Sequence, residues 1–114
     1  MAAPTIDLLQ GSLDAIILKT LSLQPVHGFG IARRVERATD DMLRVEEGSL
    51  YPALYRMENK GWIKSEWGIT ENNRRAKYYR LTSAGRRRLA ELSAAWDRYS
   101  AMMTKIMSAT APAG

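Results

Sequence analysis

The sequence contains no cysteine, one histidine and one phenylalanine among its 114 residues. The lack of cysteine excludes disulfides, thiolate metal sites and cysteine catalysis, and it fits a reducing compartment. The first residues show no basic segment followed by an apolar one, so we expect no secretory signal there. The longest apolar run is Ala15–Leu18, far short of the roughly 20 residues that span a membrane. We therefore expect a cytoplasmic protein without a membrane contact.

Patterns typical of catalysis or cofactor binding are absent as well. His27, the single histidine, precedes a glycine, which favours a turn or a helix entry over a metal site. Gly28-Phe29-Gly30 is too short for a nucleotide-binding fingerprint. Glu46 and Glu47 are adjacent, so they do not resemble an opposed acid/base pair. The sequence thus predicts a protein that is not an enzyme and uses no metal or cofactor.

The positive charge is concentrated in one part of the chain. The net charge is +5, yet residues 61–88 alone hold eight basic and two acidic residues. A local basic patch is the electrostatic signature of a phosphate-rich partner. It is also what a solvated face would show, so charge alone leaves both interpretations open.

Three short helices are predicted in the first half of the chain, each with apolar residues at helical spacing. Gln24-Pro25 ends the first helix and Asp40-Asp41 ends the second. A stub of strand is expected at residues 42–45. The first helix is predicted from Ser12, its N-cap, to Gln24, and the second from Phe29 to Thr39. The third is predicted from Leu50 to Lys60, with Gly48-Ser49 before it and Gly61 after it. Pro52 should lie in the first turn of this third helix.

A β-hairpin and a long helix follow. Residues 62–69 and 76–81 are rich in aromatic and branched side chains, and a polar turn with Asn72 and Asn73 joins them. Thr82 or Ser83 then caps a helix that runs to about Met107. This order predicts a mainly α fold with a small β-hairpin, a winged helix-turn-helix. We expect the DNA-binding domain over residues 1–82, a dimerisation helix over 83–107 and a flexible tail over 108–114.

The third helix and the hairpin tip are the predicted DNA-contacting parts. In a helix-turn-helix the second helix enters the major groove with its N-terminal residues nearest the bases. The exposed side of the third helix should carry Ala53 together with the residues of this helix that end the paragraph, while Leu50 faces inward. The alternative for the tyrosines of the helix is packing in the core. The alternative for the hairpin tip is a turn that contacts only solvent. The predicted DNA-binding residues are Ser49, Tyr51, Pro52, Tyr55, Arg56, Lys60, Arg74, Arg75, Lys77 and Tyr78.

The final helix has the most regular pattern in the chain. Six residues spaced 3, 4, 3, 4, 3 form a heptad seam: Leu89, Leu92, Trp96, Tyr99, Met103 and Ile106. A helix of about 25 residues is roughly 37 Å long and overhangs a core of short helices. The seam could pack on its own domain, but the equivalent helix of a second copy is the simpler cover. These six residues are therefore the predicted homodimer interface.

Four segments together resemble the PadR family of transcriptional regulators. The similarity extends from Asp7 to Leu92, and Gly48–Leu54 is its most specific part. The single final helix is similar to the compact subgroup of that family. The four segments are Leu8-Leu9-Gln10-Gly11-Ser12-Leu13-Asp14, His27-Gly28-Phe29-Gly30-Ile31-Ala32, Glu47-Gly48-Ser49-Leu50-Tyr51-Pro52-Ala53-Leu54-Tyr55-Arg56-Met57-Glu58, and Arg74-Arg75-Ala76-Lys77-Tyr78-Tyr79-Arg80-Leu81-Thr82-Ser83-Ala84-Gly85.

The resemblance implies a homodimer that binds an inverted-repeat operator in double-stranded DNA, usually as a repressor, and releases it when an effector binds. It also implies that Trp96 and Tyr99 line an apolar cavity for a small apolar or aromatic effector. Filling of that space by methionines 102, 103 and 107 is the alternative. A winged-helix ligand-sensing or protein-interaction module that does not bind DNA is the second functional hypothesis.

Overall fold

The computed structural model describes residues 5–112, and the side chains of residues 11–112. The described chain confirms the predicted fold class, a mainly helical winged helix-turn-helix with a small sheet. Residues 108–112 carry no helix or strand beyond a turn at 108, whereas residues 113–114 of the predicted tail, and residues 1–4, lie outside the described residues. The elements are α1 (Thr5–Leu23), β1 (Val26–His27), α2 (Gly28–Ala38), α3 (Glu47–Asn59), β2 (Ile63–Ile69), β3 (Arg75–Leu81) and α4 (Ser83–Met107).

The first helix, α1, is longer than predicted. It begins at Thr5, so Ser12 lies inside the helix and the prediction that Ser12 is its N-cap was wrong. Gly11 lies against α4, since a Cβ on it would be 3.7 Å from Cδ2 of Leu92. This packing supports the additional turns, because tertiary contacts supply most of the stability of a helix.

The third helix, α3, also starts earlier than predicted. It begins at Glu47, and the N–H of Leu50 already donates to the carbonyl of Glu46 at 2.9 Å. Pro52 therefore lies in the second turn rather than the first. Because proline lacks an N–H, the carbonyl of Gly48 loses its intrahelical donor, and water can replace that donor since Gly48 is exposed.

The hairpin is extended by a third strand that the sequence analysis missed. The sheet is antiparallel in the order β1-β3-β2, with Val26 opposite Tyr79 and His27 opposite Tyr78. The strand stub predicted at residues 42–45 is not formed. Two consecutive residues with left-handed backbone, Asp40 and Asp41 with φ of 51° and 64°, turn the chain just before that segment.

The core lies between α1, α2, α3 and the base of the sheet. Its fully buried side chains are Ile17, Leu18, Ile31, Leu50, Leu54, Met57 and Ile63. The radius of gyration is 16.9 Å, against about 13 Å for a compact domain of this length, because α4 projects from the core. Within residues 5–112, no helix is both long and apolar enough to cross a membrane.

Candidate nucleic-acid interface

One face of α3 packs on the core and the other is open to solvent. Leu50, Leu54 and Met57 are buried, as helical spacing requires. Ala53 is only 3% exposed, so its predicted place on the exposed side was wrong. The buried stripe is wide because α3 is covered by α1 and α2 and also by β2. The exposed residues of the predicted set on this helix and at its C-cap are Ser49, Tyr51, Pro52, Tyr55 and Lys60.

Tyr51 is packed on one side and accessible on the other. Its ring lies over Gly28 so closely that a Cβ there would come within 2.8–3.1 Å of the ring and hydroxyl atoms. Even so, 42% of Tyr51 is exposed, and Tyr55 is 71% exposed one turn later. Core packing thus accounts for part of Tyr51 and for none of Tyr55.

Arg56, predicted to contact DNA, is engaged inside the protein. Its two terminal nitrogens donate to both carboxylate oxygens of Asp14 at 2.9 and 2.7 Å. Asp14 is buried, and its hydrogen bond raises the pKa of the Arg56 guanidinium above the ordinary value. The pair joins α1 to α3 and leaves 30% of the Arg56 side chain exposed.

Strands β2 and β3 with their turn, residues 63–81, form the wing. Asn73, in this turn, has a left-handed backbone with a φ of 60°. Its N–H donates to the carbonyl of Thr70 at 2.9 Å, and the N–H of Thr70 donates to the carbonyl of Arg74 at 2.8 Å. Arg74 and Arg75 are both exposed at the tip, and the guanidinium carbon of Arg75 lies 4.5 Å from the ring centroid of Trp67.

The wing is tied to α3 through Glu58. The Nζ of Lys77 lies 3.8 Å from Oε1 of Glu58, and the hydroxyl of Ser65 donates to Oε2 at 2.5 Å. Lys77, a predicted DNA contact, is therefore paired on the protein surface while 42% of its side chain stays exposed. This attachment holds the wing beside α3.

Tyr78 and Tyr79 are adjacent in β3 and point to opposite faces of the sheet. The Tyr78 hydroxyl donates to the carbonyl of Ile69 at 3.3 Å, and its ring meets His27 edge-on at 5.4 Å. Nδ1 of His27 accepts the N–H of Gly30 at 3.0 Å and so caps α2, which confirms the helix-entry role. Tyr79 is buried, and burial is the main cause that raises the pKa of its phenol.

Lys60 stands apart from the other predicted DNA contacts. It is at the C-terminal end of α3, roughly 16 Å along the helix axis from Ser49. Its Nζ lies 5.7 Å from the centroid of Trp62, whose ring also has the guanidinium of Arg88 at 5.0 Å. The N-terminal end of α3 and the wing tip are therefore the two principal exposed parts of the predicted site.

The heptad seam of α4 divides into two parts. Leu89 and Leu92 pack against the core of their own chain, which was the alternative to a dimer contact. Beyond them Trp96, Met103 and Ile106 are exposed, and the Tyr99 ring lies 5.6 Å from that of Trp96. Within this chain, the second part of the seam is left open to solvent.

A cavity of about 530 Å³ lies between α1, α2 and α4. Trp96 lines it, whereas Tyr99 and methionines 102, 103 and 107 do not. The methionines are instead exposed on α4, so in this chain they do not fill the cavity. The lining residues are Gly11, Ser12, Ala15, Ile16, Lys19, Thr20, Val35, Ala38, Thr39, Leu43, Leu92, Ala95 and Trp96.

Comparison with known proteins identifies the family. Residues 17–91 match the model of the transcriptional regulator PadR-like family. The chain belongs to the PadR-like family. It is 32% identical over 90 residues to an uncharacterised protein of Lysinibacillus sphaericus, an alignment that spans 79% of this chain and 83% of that protein.

Solved structures agree with this PadR-like assignment. A transcriptional regulator from Clostridium thermocellum is similar with a TM-score of 0.78 and 31% identity, over 87% of this chain and 96% of that one. A PadR-like transcriptional regulator from Bacillus cereus has a TM-score of 0.76 and 26% identity, over 91% and 99%. The PadR-like family consists of transcriptional regulators and not enzymes, which confirms that part of the sequence analysis.

Two exposed aromatic residues near the site of this PadR-like regulator were not predicted from its sequence. Trp67 lies under Arg75, and Phe29 lies at the start of α2 with the guanidinium of Arg33 5.5 Å from its ring centroid. Strand register could have revealed Trp67, because pairing the strands across the asparagine turn places it diagonal to Arg75. No comparable signal in the sequence marks Phe29.

Proposed function

We propose that this PadR-like regulator is a homodimer that binds an inverted-repeat operator in double-stranded DNA. It acts as a repressor and releases the operator when a small apolar or aromatic effector binds. The observation that carries the proposal is the exposed N-terminal face of α3, held beside a wing with two exposed arginines at its tip. In a helix-turn-helix the second helix enters the major groove, and arginines beside it are suited to phosphates or a narrow minor groove.

In this proposal the N-terminal half of α3 enters the major groove. Ser49 and Tyr51 supply hydroxyls for base edges or phosphates, and Pro52 and Tyr55 contribute surface beside them. The free N–H groups at the helix N-terminus favour a phosphate. The Arg56–Asp14 pair sets the angle at which the helix emerges from the core, and Lys60 meets the backbone at the far end.

The wing contributes charge to the same complex. Arg74 and Arg75 contact the DNA backbone or a narrow minor groove, for which guanidinium groups are suited. Lys77 and Tyr78 lie behind the tip, where their contacts with Glu58 and His27 support the wing. These phosphate contacts provide affinity, whereas α3 provides sequence choice.

Dimerisation uses the open part of the seam. Trp96, Tyr99, Met103 and Ile106 of one copy pack against the same residues of the other, since a two-fold interface is self-complementary. Such a dimer presents two copies of α3 related by two-fold symmetry. The half-sites should therefore lie about 34 Å apart, one turn of DNA, or a multiple of that distance.

The effector site we propose is the cavity beside α4. Its 530 Å³ lies within the range of roughly 300–1,000 Å³ typical of small-molecule pockets. Trp96 belongs both to the cavity wall and to the open seam. A ligand that moves this side chain would change how two copies of α4 meet and hence the spacing of the two α3 helices, which couples the two sites.

Duplex binding measured by fluorescence anisotropy tests the proposal. Wild-type protein should bind random duplex at low salt, and fragments selected from a random pool should contain an inverted repeat. Arg74→Ala should weaken binding to all sequences alike and reduce the salt slope by about one, because one phosphate contact is lost. Arg98→Ala, at an exposed position of α4, is the matched control.

Two outcomes would count against the proposal. A wild-type salt slope in both Arg74→Ala and Arg75→Ala would mean that the wing does not contact the DNA backbone. No binding of the wild type to any duplex at low salt would favour the second function, a winged module that senses a ligand or a protein without DNA.

A further inference from the structure

We infer that Trp67 is a positioning residue that holds Arg75 for contact with a DNA phosphate, so that the two tip arginines differ in their role. The inference rests on the proposed function, since it concerns how the wing meets DNA. Nothing in the sequence of the tip distinguishes Arg74 from Arg75. The distinction comes from what each guanidinium contacts.

Trp67 occupies an unusual position for a large aromatic residue. It lies in the middle of β2, yet 58% of it is exposed. It shares a face with Ile63, which is buried, and with Ser65, which bonds Glu58 of α3. The indole therefore projects from the wing on the side that faces α3, where DNA is expected. Packing in the core does not account for it.

Strand register brings Arg75 onto this indole. Trp67 is opposite Lys77 and Ile69 is opposite Arg75, so Trp67 and Arg75 are diagonal neighbours on one face. The distance of 4.5 Å from the guanidinium carbon to the ring centroid is well inside the 6 Å limit for a cation–π contact. A stacked guanidinium uses its face, which leaves the N–H donors at its edge free for a phosphate.

Arg74 has no comparable support. Its backbone N–H donates to the Thr70 hydroxyl at 3.2 Å, but its guanidinium has no partner among residues 11–112. Arg75 likewise has no carboxylate partner in this part of the chain, whereas Lys77 is paired with Glu58. Arg75 is thus an unneutralised and ordered cation. Ordering before binding reduces the side-chain entropy lost when the phosphate is engaged.

A double-mutant cycle on Trp67 and Arg75 tests the inference, using a duplex selected by the wild type. Trp67→Ala should weaken binding about two- to fivefold, the range expected for an exposed cation–π contact. Trp67→Phe keeps an aromatic face and should bind like the wild type. In an Arg75→Ala background Trp67→Ala should add nothing, whereas in an Arg74→Ala background it should keep its full effect.

A further variant keeps the test decisive if Trp67→Ala does not fold. Arg75→Lys retains the charge but loses the planar stack, so it should also bind about two- to fivefold more weakly than the wild type. Unchanged binding of either variant, an additive loss in the Arg75→Ala background, or tighter binding of Trp67→Ala would overturn the inference. Failure of the wild type to bind duplex would overturn the proposed function itself, and it is seen before any variant is compared.

Discussion

The two halves of α4 follow the same heptad spacing but meet different surroundings. In the first half, Thr82 caps the helix by accepting the N–H of Gly85 at 3.0 Å, and Leu89 and Leu92 pack on the core. In the second half, 51% of Trp96 is exposed, and Ile106 is exposed as well. A repeat in sequence therefore specifies which residues share a face of the helix. It does not specify which surface covers that face.

This contrast separates a closed part of the molecule, residues 11–92, from an open part, the remainder of α4. The closed part contains the buried apolar core, which one chain forms by itself. The open part leaves a row of apolar side chains that soluble monomers seldom expose together. Changes in the closed part should alter the stability of one chain at any concentration, whereas changes in the open part should alter association.

The largest effect is expected from a charge in the open seam. Trp96→Glu should cost several kcal/mol of association free energy, because a two-fold interface would bury two unpaired carboxylates. Ala101→Glu introduces the same charge at an exposed position off the seam and should leave association unchanged. Sedimentation equilibrium at micromolar concentration measures both. A dimer that persists in Trp96→Glu would show that the two copies associate through another surface. A wild-type monomer would show that no second copy covers the seam.

In the closed half of α4, Gly85→Ala should destabilise the chain itself. A Cβ at this position would collide with the backbone carbonyl of Trp62, which cannot move away as a flexible side chain could. We expect a loss at the upper end of the roughly 1–3 kcal/mol typical of overpacking. Urea unfolding followed by circular dichroism measures it, with Gly48→Ala as control, since a Cβ there meets no atom within 4 Å. Equal stability of the two variants would mean that the start of α4 is not closely packed.

The Asp14–Arg56 pair tests whether contacts within one chain fix the position of α3. Asp14→Ala should lower the free energy of unfolding by about 2 kcal/mol, within the range for hydrogen bonds to charged groups. The loss stays below that of a fully buried pair because 30% of the Arg56 side chain remains exposed to water. Chemical unfolding at two protein concentrations should give the same difference. A difference that depends on protein concentration would mean that the contribution of this pair to the free energy of unfolding depends on dimerisation.

Smaller effects are expected on the exposed face of α3. Ser49→Ala and Tyr51→Phe remove only hydroxyls, so each should weaken operator binding by about 1 kcal/mol while the melting temperature stays near that of the wild type. Footprinting and thermal melting of the same preparations measure the two quantities. If Tyr51→Phe has a lower melting temperature but binds the operator as tightly as the wild type, Tyr51 acts through its packing on Gly28. A footprint without two-fold symmetry would contradict the inverted repeat.

The sequence predicted the helices and strands whose patterns are local. It failed where a contact between residues far apart in the sequence determines the structure. The order of the long elements, the Thr82 cap and the seam follow from spacing and capping chemistry. The early start of α1 was not predicted, because no local pattern shows that Gly11 lies against Leu92 of α4. Two-residue β1 carries too little pattern to be recognised. Of the candidate site, the exposure of Tyr51 and the wing tip was foreseen, but the capture of Arg56 by a carboxylate 42 residues away was not.

Near neutral pH, the smallest effect on the free energy of unfolding is expected from Tyr79, which lies in the closed part. Burial raises the pKa of its phenol above the ordinary 10.0, so the folded chain keeps this proton at a pH where the unfolded chain has lost it. The contribution of Tyr79 to stability is therefore fully present below about pH 10 and declines as the pH rises toward the folded-state pKa. Tyr79→Phe has no such proton, so its free energy of unfolding should fall less steeply between pH 10 and 11 than that of the wild type. Tyr55→Phe, at an exposed position, is the matched control and should keep the wild-type slope. Urea unfolding across this pH range decides the matter, since parallel curves for wild type and Tyr79→Phe would mean that the Tyr79 hydroxyl reaches water in the folded chain.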